Sequence, residues 1–274
     1  MFSKIRAETC FRYLRSMPLL RTTHPFPDAI FGLWQIAESE EFFRTDLPLS
    51  ASEESDLSQH QNPLRRLEWL AGRWLLHKLT DAPERLPLAK DAFSKPFFPE
   101  NQDLACSLSH SKGNVGALIV NRHSGHSSLG HSSFLPAVAF PPAETWRAGV
   151  KEGGHSPPFI GCDIQVLTEK MSRIAHKFLN DAEKDFVKTR PFDEELELLH
   201  LFWTAKESLY KAYGLKELDF RKNLFVTKIQ WDGLQGEGLG RVEKGDFRQE
   251  FQLIFSKIVL PEETELLSAV CREG

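Results

Sequence analysis

The clearest helical pattern in the chain lies at residues 64–79, where leucine, alanine and tryptophan recur every three or four positions. Similar spacing predicts helices at 169–188 and at 193–214, the last of which ends at a glycine. Short apolar or alternating runs predict strands at 104–109, 114–120, 159–167, 223–231, 249–259 and 265–271. Helices and antiparallel strands in both halves of the chain together predict an α+β fold.

Other stretches are poorly periodic. Residues 18–62 predict no regular element, and the polar run at 51–63 is interpreted as an exposed connection. Between 121 and 158, 20 of 38 residues are Ser, Gly, His or Pro, which is typical of a flexible insertion. The predicted division is therefore an N-terminal lobe at 1–158, which includes the insertion, and a C-terminal lobe at 159–274.

Composition narrows the class of protein. The 274 residues carry a formal net charge of −4, which argues against a nucleic-acid protein that neutralises many phosphates. No apolar run approaches the roughly 18–20 residues that span a bilayer, so a cytoplasmic protein without a membrane partner is predicted. The four cysteines are scattered singly, which favours reduced thiols over a disulfide framework or a zinc site. A monomer is expected.

A carboxylate stands inside the predicted strand at 159–167. Asp163 and Gln165 are two residues apart, so their side chains share one face of the strand. An ionised carboxylate in a buried strand is costly unless it is paired or bound to a metal. The structural alternative for Asp163 is a hydrogen bond to a nearby loop.

Charged residues also mark the last turns of the helix at 193–214. Lys206, Glu207 and Lys211 emerge beside its apolar face, and Glu207 lies one turn from Lys211. An ordinary surface ion pair is the alternative interpretation of that spacing.

A basic group is predicted on the helix at 64–79. Arg65, Arg66 and Arg73 together suit a terminal phosphate, which guanidinium groups bind through forked hydrogen bonds. Solvated arginines on a helix face are the alternative.

Four short motifs follow one another along the chain in the order SKP, SLSHS, IGCDIQ and FWTAKESLYKAYG. This order closely resembles the 4'-phosphopantetheinyl transferases, specifically the larger, two-lobed kind that activates peptide and polyketide synthases. The segment WTAKESLYKAYG is the most specific element, because it is similar to the W-x-x-K-E-x-x-x-K helix of that family at each diagnostic position. The resemblance implies two similar lobes related by a pseudo-twofold axis, each a small antiparallel sheet packed with helices, with coenzyme A between them.

The resemblance also implies an activity. A holo-acyl-carrier-protein synthase would transfer 4'-phosphopantetheine from coenzyme A to a serine of an apo acyl or peptidyl carrier protein, and release adenosine 3',5'-bisphosphate. The cofactor implied is Mg²⁺, with Mn²⁺ as an alternative. Asp163 and Glu207 would ligate this ion with Gln165 in third place, and Glu183 matches a proposed general base of the family.

Further residues would hold coenzyme A by the same resemblance. Its phosphates would be faced by Lys206 and Lys211, and its 3'-phosphate would be contacted by His110, with Ser109 as a further contact. The nucleotide pocket would be lined by Lys95 and Pro96. Candidates for more phosphate contacts are Arg66 and Arg73.

Two positions depart from the family pattern. Gln165 stands where the family often has Glu, which removes one negative charge from the metal site and predicts weaker Mg²⁺ binding. Ser94 stands where a glycine usually precedes Lys-Pro, so the resemblance does not fix the backbone conformation of this loop.

Two other functions compete with the transferase. The first is a non-catalytic binder of coenzyme A or a carrier protein, which the glutamine makes conceivable. The second is a metal-binding adaptor that works through the four histidines of the insertion.

Overall fold

The structure, a computed structural model, describes residues 19–121, 159–260 and 262–274. These residues form two larger antiparallel sheets, one two-stranded ribbon and six helices. The strands are β1 (Leu19–Thr23), β2 (Ala29–Gln35), β3 (Ala89–Lys90), β4 (Pro96–Phe97), β5 (Leu104–Ser111), β6 (Asn114–Asn121), β7 (Ile160–Val166), β8 (Leu224–Trp231), β9 (Gln235–Lys244), β10 (Phe247–Val259) and β11 (Glu265–Glu273). The helices are α1 (Glu40–Asp46), α2 (Ala51–Ser58), α3 (Pro63–Thr80), α4 (Lys170–Phe178), α5 (Asp181–Lys188) and α6 (Phe192–Tyr213).

The two larger sheets are built from separate parts of the chain. The first has the strand order β1-β2-β6-β5, and the second has the order β7-β11-β10-β9-β8. Every neighbouring pair in them is antiparallel. The predicted α+β class is confirmed.

The two sheets share a connectivity. In the first, β2 is followed by the long helix α3 and then by the hairpin β5–β6, whose second strand lies between β2 and β5. In the second, β7 is followed by the long helix α6, and the later hairpin β10–β11 places β11 between β7 and β10. This common arrangement agrees with two lobes, while the pseudo-twofold axis and the boundary at 158 stay predictions.

Some predictions fall outside the described residues. The insertion predicted at 121–158 is described only at Asn121, and residues 1–18 are also outside. Within the part of the chain that the structure describes, no helix has the length and apolar character needed to cross a membrane.

The region 18–62 is more regular than its sequence predicts. It forms β1, β2, α1 and α2, so the interpretation of 51–63 as an exposed connection was wrong for residues 51–58. The reason is local: Ser50 and Glu53 form a capping box that starts α2, and Glu53 then binds Arg85 in the core. The predicted helix at 169–188 is likewise two helices, because Asn180 and Glu183 form a second capping box that starts α5.

Each long helix covers one face of its sheet. Helix α3 starts at the Asn62 cap with a proline at its first position, and its apolar face packs on β6 and β2. Helix α6 packs on β7 and β11 and ends at Gly214 in a left-handed conformation, the stop predicted for it. A third apolar cluster joins the two sheets to each other, through residues such as Phe31, Leu118 and Ile164.

A row of three serine hydroxyls adds to this contact between the two sheets, which we call the joint. Ser107, Ser109 and Ser111 alternate along β5 and are all buried. Their Oγ atoms accept hydrogen bonds from the backbone N–H groups of Cys162, Ile164 and Val166, at 3.1, 3.2 and 3.1 Å. Strand β7 lies at the edge of its sheet, so these hydroxyls satisfy donors that no neighbouring strand reaches.

Candidate active site

A cleft of about 410 Å³ lies where α3, β5 and the loop before β4 meet the end of α6. Positive charges strongly outnumber negative charges in its lining, although the whole chain is slightly acidic. Among the described residues the lining contains a single carboxylate, Glu68, against six cationic side chains: Arg65, Arg73, Lys90, Lys95, Lys211 and Lys216. A cationic cleft of this kind suits a small anionic ligand with several phosphates.

Asp163, on the central part of β7, is in contact with two residues that line this cleft. Its Oδ1 atom accepts hydrogen bonds from Ser109 Oγ at 2.6 Å and from Lys211 Nζ at 2.8 Å. Both donors line the cleft. Its Oδ2 atom is buried and has no hydrogen-bond partner among the described residues. One carboxylate oxygen is thus held in place and the other is free for a ligand.

Glu207 is the second carboxyl group of this region. It sits on α6, one turn before Lys211, and is half-buried. Burial and, to a smaller extent, the nearby Asp163 charge raise the pKa of Glu207 to about 7, while Lys211 opposes both effects. Because Lys211 contacts Asp163 and Glu207 lies one turn before Lys211 on α6, the side of α6 that carries Glu207 faces β7.

A pH-dependent stability follows from this raised pKa. Between its usual pKa of 4.5 and about 7, the folded protein holds a proton that the unfolded chain has lost. Raising the pH through this range in a chelator should therefore lower the free energy of unfolding, by about 2 kcal/mol after discounting for partial exposure. Urea unfolding across this range tests the prediction, with Glu207→Gln as the control, whose unfolding should lack this loss. Equal pH slopes for wild type and variant would contradict it.

Gln165 lies two residues after Asp163 on β7. It is half-buried, and its Nε2 donates to the carbonyl oxygen of Val166 at 3.1 Å. No group of three or more His, Cys, Asp or Glu side chains that suits a metal ion occurs in the part of the chain that the structure describes. Any cation here would depend on two carboxylates and neutral oxygens.

The loop before β4 brings Lys95 and Pro96 to the cleft, as predicted. Lys95 Nζ donates to the carbonyl oxygen of Ala212 at 3.0 Å, and burial lowers the pKa of Lys95. Ser94 has a φ of +70°, a left-handed conformation that glycine adopts more readily, so the usual glycine of this motif has a backbone reason. Its hydroxyl accepts from Lys216 Nζ at 3.1 Å.

His110 lines the cleft next to Arg65, an arginine that no sequence motif pairs with it. Arg65 Nη1 contacts the His110 ring and donates to Glu68 at 3.1 Å, while His110 Nδ1 lies 3.3 Å from Glu68. Burial lowers the pKa of His110, Glu68 opposes this shift, and Arg65 adds to it. Arg65 is thus the arginine of α3 that accompanies His110.

Comparison with known proteins identifies the family of one segment that contributes to this site. Residues 159–254 match the sequence model of the 4'-phosphopantetheinyl transferase superfamily. This segment is a 4'-phosphopantetheinyl transferase superfamily domain. No curated protein matches the chain. The family predicted from the motifs is confirmed for residues 159–254, whereas the larger, two-lobed subtype stays a prediction.

The transferase domain supplies one side of the cleft. It contains β7 and α6, and so carries Asp163, Glu207 and Lys211. The opposite side, with Lys95 and His110, comes from residues 19–121, outside the matched segment. The family match supports phosphopantetheine transfer as the general activity of the domain.

Two predicted arginines are engaged by acidic partners. Arg66 does not line the cleft; it binds Glu40 at 2.6 Å and donates to the carbonyl oxygen of Leu57 at 3.0 Å. Arg73 lines the cleft, but it stacks 3.3 Å from the ring centroid of Trp69 and lies 3.4 Å from Glu53. Burial lowers the pKa of Arg73 to about 10, opposed by Glu53. Their predicted contacts with coenzyme A stay predictions.

Lys206 and Glu183 form a separate buried pair in the transferase domain. Lys206 is completely buried, lies 2.7 Å from Glu183, and donates to the carbonyl oxygens of Phe178 and Phe220 at 2.7 and 2.8 Å. Glu183 also accepts from the backbone N–H groups of Asn180 and Val226. Neither side chain lines the cleft. These contacts give both residues a structural role, and the predicted roles of Lys206 at the phosphates and of Glu183 as general base stay predictions.

The variant Lys206→Met tests that structural role. It would leave the buried Glu183 carboxylate without its charged partner, so the free energy of unfolding should fall by about 3 kcal/mol. Chemical denaturation measures the loss, and the double variant Lys206→Met/Glu183→Gln should recover part of it. An unchanged stability, together with lost transfer, would instead favour a role at the phosphates.

Proposed function

We propose that the protein transfers 4'-phosphopantetheine from coenzyme A to a serine of an apo acyl or peptidyl carrier protein, as a holo-acyl-carrier-protein synthase does. The observation that carries the proposal is the cleft itself. The transferase superfamily domain contributes Lys211, which is bound to Asp163, and residues 19–121 contribute Lys95 and His110.

A divalent cation fits the residues of the site. The free, buried Oδ2 atom of Asp163 and the carboxyl group of Glu207 are hard oxygen donors, and the amide oxygen of Gln165 is a third candidate. Mg²⁺, or Mn²⁺ in its place, is the cofactor proposed. When bound, such an ion would neutralise charge on the diphosphate of coenzyme A.

The chain's own groups would then bind and orient the reactants. Lys211 is fixed between Asp163 and the carbonyl oxygen of Cys162, so its charge stays at the cleft wall. Lys95, Lys216 and Arg65 add positive charge along the cleft, which suits the several phosphates of coenzyme A.

Transfer needs one bond made and one broken. The carrier serine Oγ would bond to the β-phosphorus, and the bond from that phosphorus to the bridging oxygen would break, which releases adenosine 3',5'-bisphosphate. The serine proton goes to a base. Glu183 is not assigned this role here, because its oxygens already accept from Lys206, Asn180 and Val226.

The direct test is mass spectrometry of apo carrier proteins. Incubation with the protein, coenzyme A and Mg²⁺ should add one phosphopantetheine to the carrier serine and release adenosine 3',5'-bisphosphate in equal amount. A carrier whose serine is replaced by alanine is the control. Carriers of several pathways that all stay unmodified would contradict the proposal.

Gln165 gives a finer prediction. Gln165→Glu would add a negative charge beside Asp163 and Glu207, so half-maximal transfer should need about tenfold less Mg²⁺. The activation curve for Mg²⁺, measured for wild type and variant at one pH, shows the shift. An unchanged curve would exclude residue 165 from the cation site.

One observation favours a second candidate, a binder of coenzyme A without turnover. The described residues present two acidic groups at the site rather than three, with Gln165 beside them. Binding of coenzyme A without release of adenosine 3',5'-bisphosphate, with any carrier tested, would establish this alternative.

A further inference from the structure

The three buried serines of β5 offer an internal comparison. Ser107, Ser109 and Ser111 each accept one hydrogen bond from a backbone N–H group of β7, at nearly equal distances. Their exposed fractions are also alike, at 5, 5 and 8 %. The three positions therefore contribute in the same way to the joint between the two sheets.

Of the three, Ser109 is the one whose hydroxyl donates to a carboxylate among the described residues. Its hydroxyl donates to Oδ1 of Asp163 at 2.6 Å, across the joint between the two sheets. Lys211 holds the same oxygen, and Oδ2 of Asp163 is left buried without a partner. Rotation about the last torsion of an aspartate is otherwise broad, so these two donors select which oxygen is free.

We infer that Ser109 is a positioning residue of the cation site, which acts by fixing the orientation of the Asp163 carboxylate. The inference rests on the proposed function, since it concerns the same site. Hydrogen bonds to the atoms of a ligating group that do not face the metal orient that group and strengthen metal binding. The first sheet thereby helps to build a site whose carboxylates belong to the transferase domain.

The hydrogen-bond inventory separates this role from a contact with coenzyme A. A serine hydroxyl has one hydrogen to donate, and Ser109 donates it to Asp163. Phosphate oxygens only accept. While Ser109 holds Asp163, it has no hydrogen left to donate to a phosphate, and its other predicted contacts with coenzyme A stay predictions.

The test compares Ser109→Ala with Ser107→Ala and Ser111→Ala, in the full chain. Binding of Mn²⁺ is measured by the electron paramagnetic resonance signal of the free ion, with coenzyme A present and carrier absent. Ser109→Ala should weaken Mn²⁺ binding about tenfold or more. The two matched controls should bind Mn²⁺ as wild type does, although each loses the same backbone hydrogen bond and should shift the urea midpoint alike.

A second variant distinguishes the loss of this hydrogen bond from a folding defect. Ser109→Cys keeps a side chain of similar size with a weaker donor, and should weaken Mn²⁺ binding to an intermediate degree.

The outcomes are distinct. Equal Mn²⁺ binding by wild type, Ser109→Ala and both controls would overturn the inference alone. A raised KM for coenzyme A with unchanged Mn²⁺ binding in Ser109→Ala would overturn it in favour of a ligand contact. A wild-type protein that transfers phosphopantetheine without binding Mn²⁺ or Mg²⁺ would overturn the cation site and the inference, but not the activity. A protein that binds Mn²⁺ but transfers nothing would overturn the proposed function alone.

Discussion

Asp163→Asn should reduce phosphopantetheine transfer by about a thousandfold while the protein stays folded. The amide oxygen can replace Oδ1 and keep the hydrogen bonds from Ser109 and Lys211. The amide nitrogen then takes the place of Oδ2, the atom without a partner, and an NH₂ group cannot ligate a cation. The variant thus removes the free oxygen and leaves the surrounding packing in place.

Transfer rates at saturating Mg²⁺, together with a urea unfolding curve, measure the two effects separately. Ser111→Ala is a suitable control, because it disturbs β7 without touching Asp163. Wild-type transfer by Asp163→Asn would exclude the carboxylate from the reaction.

Gly161→Ala should cost about 3 kcal/mol or more of the free energy of unfolding and remove activity with it. A methyl group at Gly161 would lie 1.9 Å from the carbonyl oxygen of Ser208 and 2.9 Å from the backbone nitrogen of Ala212, both on α6. Backbone cannot rotate away as a side chain does, so α6 would have to leave β7. Glu207 and Lys211 would move with it, away from Asp163.

Gly72→Ala is the matched control, a glycine in the middle of α3. Its methyl group would meet Leu108 at 3.4 Å, an ordinary contact, and alanine favours the helix by up to about 1 kcal/mol. Thermal or chemical unfolding should therefore show a loss at position 161 and none at position 72. A stable Gly161→Ala protein would contradict the close approach of α6 to β7.

The long helices and the strands around Asp163 were predictable from the sequence, since each has a clear apolar period. Strand β2 was not, because it is covered on both faces: residues such as Phe31 face the second sheet, while Trp34 packs under α3. A strand buried on both faces loses the alternation that marks a strand. Strand β9 was missed for another reason, since its glycines at 236, 238 and 240 make room for Trp231, Phe255 and Leu209.

The site was predictable where motifs carry it and not where partners are distant in sequence. Lys211 contacts Asp163 and lines the same cleft as His110, whereas Arg66 is bound by Glu40, 26 residues earlier. No local pattern shows which arginine of α3 such an acid will engage, so Arg65 was not preferred. The same holds for Lys206, whose charge is matched inside the protein by Glu183, 23 residues earlier.

The serine row on β5 also bears on whether β7 could pair with a strand of another molecule. An edge strand with open donors invites another chain to pair with it, which is a common start of aggregation. At β7 the outward donors of residues 162, 164 and 166 are occupied by short side chains rather than by a further strand. The sheet is therefore closed to extension at the border where Asp163 lies, and the acid is kept from being covered by a neighbouring molecule's backbone.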